Sequence, residues 1–118
     1  MARIAKETDY TVKVEGVGSF TFGRRAMRDE IDIQVAYARI IDGVEPTAWL
    51  QTVGGWIATF NVLTVRAPSD WNIETMDPTD PATYAKMRIV HEALSEKEGS
   101  FRRSTEPASQ GSGAGTPS

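Results

Sequence analysis

Four carboxylates, Asp70, Glu74, Asp77 and Asp80, gather in the stretch APSDWNIETMDPTDPAT, and a group of this kind invites comparison with paired acid–base carboxylates or a calcium loop. A calcium loop of the EF-hand type needs oxygen ligands at fixed offsets, a glycine at its sharp turn and a closing glutamate. Here prolines interrupt the run and it contains no glycine, so helix capping and solvated loop charge account for these residues better. His91 is the one histidine, with Glu92 beside it. General-base chemistry would require a nucleophile or an orienting partner, and the sequence proposes neither. His91 reads instead as a residue on the rim of an apolar helix stripe. GVGSF at 16–20 has the glycines of a phosphate loop without the context, because such cradles follow a strand and open a helix, whereas a second strand follows here. No catalytic, metal-binding or cofactor-binding residue is assigned.

GRRAMR places Arg24, Arg25 and Arg28 together at the start of a helix, where positive charge runs against the helix dipole. Either they serve an acidic partner or Asp29 and Glu30, which follow at once, neutralise them locally. Both readings stay open on sequence alone.

The elements that must position these residues follow from hydrophobic period. Between Tyr10 and Phe22 the apolar residues alternate, with Tyr10, Val12, Val14, Phe20 and Phe22 on one side, and EGVG supplies the glycines of a tight turn. This predicts a β-hairpin over about 10–22. A two-stranded ribbon is marginal in water, so its apolar side must lie on a helix. After Gly23 the period lengthens to about 3.6, predicting a helix over about 26–42 with Gly43 as its stop. That helix carries two apolar stripes almost diametrically opposed: Met27, Ile31, Val35 and Ala38 on one side, Ile33, Tyr37, Ile40 and Val44 on the other.

A second helix is expected over about 46–66, opened by Pro46 or Thr47, with Trp49, Leu50, Val53, Trp56, Ile57, Phe60 and Leu63 on one broad arc and the small residues Gly54, Gly55 and Ala58 on the other side. Its many β-branched residues leave a strand reading open. The loop that follows should be packed, because it holds Trp71, Ile73 and Met76. A third helix over about 81–98 is capped by Asp80, stopped by Gly99 and striped by Tyr84, Met87, Val90 and Leu94, with Phe101 folding back on it. From Ser104 to Ser118 only small and polar residues, glycine and proline occur, which predicts a disordered tail. The expectation is a mostly α single domain over 1–103 with an N-terminal β-hairpin.

Composition narrows the function classes. The 118 residues carry a net charge of −3, so no basic excess advertises nucleic acid or an anionic membrane surface. Absence of cysteine removes disulfides, thiolate nucleophiles and cysteine-ligated zinc, and fits a reducing cytoplasm. The first ten residues lack a continuous apolar region, so no secretory signal is expected. Pro46 to Val65 has the length of a membrane span, but Gln51, Asn61, its threonines and its paired glycines favour a buried helix.

The order hairpin, helix, tight turn, aromatic-rich helix, acidic Pro/Trp loop, helix and polar tail is carried by YTVKVEGVGSFTFGRRAMRDEIDIQVAYARIIDG, WLQTVGGWIATFNVLTVRAPSDWNIETMDP and TYAKMRIVHEALSEKE. In organisation it resembles the tail assembly chaperones of long-tailed bacteriophages. The resemblance implies a small, mostly helical, non-enzymatic protein of the host cytoplasm that coats the tape-measure protein and keeps it soluble until the tail tube forms around it. It implies no catalytic residues and no cofactor. A structural component of the virion, in the tail, connector or baseplate, is the alternative.

The two-sided helix bears on this directly. Its two stripes can both be used internally, one on the hairpin and one on the second helix. Alternatively, some of Ile33, Tyr37, Ile40, Val44 and Trp71 remain at the surface for another chain, with Arg24 and Arg25 beside them, serving the tape-measure protein or self-association into an oligomer. No nucleic acid or membrane partner is expected.

Overall fold

Alternation in the N-terminal stretch produces two antiparallel strands, β1 (Tyr10–Val14) and β2 (Gly18–Phe22), in the computed structural model, which describes residues 3–105 with side chains as far as Arg103. Tyr10 pairs with Phe22, Val12 with Phe20 and Val14 with Gly18, so the apolar members of both strands share one face. On the opposite face the hydroxyls of Thr11 and Thr21 meet at 3.1 Å. The turn depends on glycine in two different ways. Gly16 has φ +81° in open space, so only its backbone conformation demands glycine. Gly18 has φ +137° and also lies under Pro68, whose Cγ would be 2.5 Å from any Cβ there.

Helix α1 spans Met27–Ile41 and helix α2 spans Ala48–Leu63, with Thr47 accepting the Leu50 N–H at 3.1 Å as an N-cap. Asp42, at φ 48°, and Gly43, at φ 82°, end α1 in left-handed geometry. Helices α1 and α2 approach closely because Gly54 of α2 has no side chain. A Cβ there would stand 3.3 Å from Cε1 of Tyr37 and 3.5 Å from Cγ2 of Ile40. Gly55 is different: nothing lies within 4 Å of the corresponding position.

Two boundaries differ from expectation. Helix α2 ends at Leu63 instead of near residue 66, and Thr64–Arg66 forms a third strand, β3, antiparallel to β2. The sheet order is β1-β2-β3, and a backbone bond of 2.8 Å from Gly23 N–H to the Leu63 carbonyl ties the helix end to the sheet. Thr64 and Val65 are β-branched, and the second edge of β2 offers them hydrogen-bond partners that a further helical turn would forgo. The ribbon thereby becomes a three-stranded sheet.

Helix α3 spans Pro81–Thr105, so Gly99 lies inside it and does not stop it. Phe101 reaches its contacts by continuation of the helix and not by folding back. It falls one heptad after Leu94 on the same stripe, and its ring packs edge-on against Tyr10 with centroids 5.0 Å apart. That contact outweighs the roughly 1 kcal/mol penalty of an internal glycine. The tail expected from residue 104 therefore begins with two helical residues, and 106–118 lie outside the described residues.

The core joins all three layers: Phe20 and Phe22 from the sheet, Phe60 and Leu63 from α2, and Val90 and Leu94 from α3 are fully buried. Trp71 closes it from the loop, edge-on to Phe20 at 5.0 Å and to Phe60 at 5.9 Å between centroids. Ile73 and Met76 pack against the same cluster, which makes the proline-rich connection a packed loop.

Candidate interaction surface

Of the two stripes on α1, only one is covered. Ile33 is 5% exposed and belongs to the core, and Tyr37 and Ile40 are half-buried against α2. Trp71 is likewise half-buried on the core. Four of the five apolar residues expected at a partner surface thus serve mainly the protein's own packing, and Val44, at 59% exposure, is the one that remains outside. The opposite stripe lies open: Met27 is 76% exposed, and Ile31 and Val35 are 44% exposed each. Ala38 continues the row, so an apolar line runs along the outer side of α1 at i, i+4, i+8 and i+11.

The sequence held a clue to which side would be covered. Gly54 gives α2 a shallow place, and a shallow place is best filled by bulky counterparts such as Tyr37 and Ile40. Met27, Ile31 and Val35 have no such complement.

At the base of α1 the arginines divide. Arg25 is neutralised within the fold: its Nε and Nη2 donate to Glu98 at 2.9 and 3.2 Å, and its Nη1 donates to Glu30 at 2.8 Å. The bond from Nη1, with one from Gln34, holds the Glu30 carboxyl below the ordinary glutamate value. Arg28 pairs with Asp32 one turn on, at 3.1 Å. Arg24 instead lays its guanidinium over the Phe101 ring, 3.9 Å from the centroid. Local neutralisation therefore accounts for Arg25 and Arg28, and not for Arg24.

Asp29 makes the most enclosed of these contacts. It is 7% exposed, takes Arg3 at 2.6 Å and accepts the Ala26 N–H at 2.7 Å. Ala26 has no side-chain acceptor, so Asp29 alone supplies the cap at this helix start. Hydrogen bonding from Arg3 keeps its carboxyl below the usual aspartate range. Gly23 makes room for this arrangement, since a Cβ there would collide with the Arg3 guanidinium.

No family model, curated protein or solved structure matches this chain.

The candidate chemical residues occupy structural places. His91 lies half-buried between Trp56 and Phe60, each ring centroid 6.1 Å from its own. Burial, with Arg25 adding to it, pushes its pKa below the ordinary histidine value. In the acidic loop, Asp77 accepts from the backbone and the hydroxyl of Thr79 at 2.9 and 2.7 Å, and Asp80 accepts the Ala82 N–H at 2.9 Å at the start of α3. Among the described residues, no three metal-ligating side chains gather into one group, and no helix is long and apolar enough to cross a membrane. A cleft of about 380 Å³ where α1, α2 and α3 meet brings together Tyr37, Trp56 and His91.

Proposed function

We propose that this chain is a non-enzymatic tail assembly chaperone of a long-tailed bacteriophage, acting in the host cytoplasm on the tape-measure protein. The observation that carries the reading is the uncovered apolar row Met27, Ile31, Val35 on a helix whose other side is already satisfied. A soluble domain that leaves an ordered apolar line on a helix has a surface suited to a second helix, and a long helical client offers the matching stripe. Val44 and the half-exposed Trp49 add further apolar surface to the helical part of the molecule. The same row supports association of several copies along one client. The organisational resemblance to tail assembly chaperones supplies the identity of that client.

Co-expression with the long helical protein encoded nearby tests this. Wild-type chain should copurify with it and raise its soluble fraction, and the double variant Ile31→Glu, Val35→Glu should lose both effects while remaining folded. Failure of the wild-type chain to do either overturns the reading. Purified virions should lack the chain; its stoichiometric presence there would make it a structural component of the particle instead.

A further inference from the structure

A second surface feature stands apart from the α1 row and does not depend on the client proposed above. Tyr10, Arg24, Arg25, Ser95, Glu98, Phe101 and Arg102 enclose an open cleft of about 480 Å³ between the hairpin, the start of α1 and the end of α3. Its walls carry three guanidinium groups and one carboxylate. Glu98 is already engaged by Arg25, and Arg24 adds a positive charge to the cleft.

Two observations show that the polar groups here are not all used internally. Tyr10 is only 9% exposed, yet its hydroxyl has no hydrogen-bond partner. The charges that its phenol feels are those of Glu98, Arg25 and Arg24, which are walls of the same cleft. A buried hydroxyl without a partner is costly and calls for a group that would satisfy it. Arg24, for its part, has no ion-pair partner among the described residues, and its position over Phe101 holds the guanidinium plane in place. Planar donors held in this way suit a planar acceptor that carries one negative charge.

We infer that this cleft binds a single carboxylate presented by a partner protein, the side chain of a glutamate or aspartate, with the Arg24 guanidinium and the Tyr10 hydroxyl as its donors. A doubly charged phosphate fits less well, because Arg25 is already committed to Glu98 and Arg24 balances a single negative charge. Burial raises the Tyr10 phenol well above its ordinary pKa, so it stays protonated and donates throughout the neutral range.

The test uses the full chain and NMR titration with acetyl-glutamate-amide, which carries one side-chain carboxylate, alongside acetyl-glutamine-amide, inorganic phosphate and sodium chloride at matched ionic strength. Saturable shifts centred on Tyr10, Arg24 and Ser95 are expected for the glutamate compound and none for its neutral isostere. Tyr10→Phe should keep the fold and weaken binding roughly tenfold, the loss of one hydrogen bond to a charged group. Arg24→Gln should abolish binding. Shifts that never saturate or that sodium chloride reproduces would overturn the site. Tighter binding of phosphate than of the carboxylate would overturn the ligand assignment, and an Arg24→Gln protein that is folded and binds unchanged would overturn the role of that side chain.

Discussion

Asp29 and His91 both contribute to the response of this protein to acid, each through a different cause. Asp29 is held charged by Arg3, so its folded pKa lies below the ordinary value of about 3.9. The unfolded chain takes up that proton first, and the stability that Asp29 contributes is complete above pH ~4 and lost as pH falls through its folded pKa. His91 is kept neutral mainly by burial, so its folded pKa lies below about 6.5. Its contribution is complete above that pH and declines below it, because the unfolded imidazole protonates while the folded one resists. The thermal midpoint should therefore decline between about pH 7 and pH 5, and fall again below about pH 4. Melting curves across this range check it: His91→Gln should flatten the first decline, and Asp29→Asn should shrink the second while costing about 2 kcal/mol at neutral pH, since it leaves a mostly buried Arg3 unpaired. His91 was legible in the sequence as a rim histidine. The Arg3–Asp29 pair was not, because the two residues are brought together only when the N-terminal segment runs past the end of α2, where Arg3 also donates to the Val62 carbonyl at 3.2 Å.

Adjacent glycines in α2 separate helix propensity from packing. Gly55 has open space where a side chain would go, and Gly54 faces Tyr37 and Ile40. Gly55→Ala should stabilise the protein by about 0.5–1 kcal/mol, the propensity gain of alanine over glycine in a helix. Gly54→Leu should destabilise it by about 2 kcal/mol or more, because the added atoms force α1 away from α2. Urea denaturation of the two variants measures both, and equal effects would show that α1 does not rest on Gly54. The three long helices were legible from period, with a strand reading left open for the second, and so were the turn glycines Gly16 and Gly43; the 3-10 turn Ile73–Thr75 was not. The ends of α2 and α3 were not. At Leu63 the competitor was a strand edge contributed by residues some forty positions earlier, and at Gly99 it was the Tyr10 ring, neither of which local sequence displays.

For the molecule as a whole, the consequential fact is which side of α1 faces inward. Ile33 lies in the core and Ile31 does not, although both belong to the same helix and are the same residue type. Ile33→Ala should cost about 2–4 kcal/mol. Ile31→Glu and Val35→Glu should each change stability by no more than about 0.5 kcal/mol, as surface substitutions do. Chemical denaturation reads the difference, and a large loss in Ile31→Glu would mean that this row is covered after all. The pairing of a stable fold with an expendable apolar row is what separates a surface kept for binding from one kept for folding. Of the residues expected at a partner surface, Arg24, Val44 and the already paired Arg25 remain accessible, whereas Ile33, Tyr37, Ile40 and Trp71 are large and apolar, a property that suits a core and an interface equally.

The sequence by itself determined a hairpin, three helices, a packed Trp71 loop and the presence of two apolar sides on α1, since each rests on the period of neighbouring residues or on the conformational needs of glycine and proline. Only the tertiary structure decided that the Ile33–Tyr37–Ile40 side is the inner one, that β3 joins the sheet and that Tyr10, Arg24 and Phe101 meet. Periodicity tells a helix how many greasy faces it has; which face is covered depends on the shape of the element that packs against it, and here that shape was set by the missing side chain of Gly54.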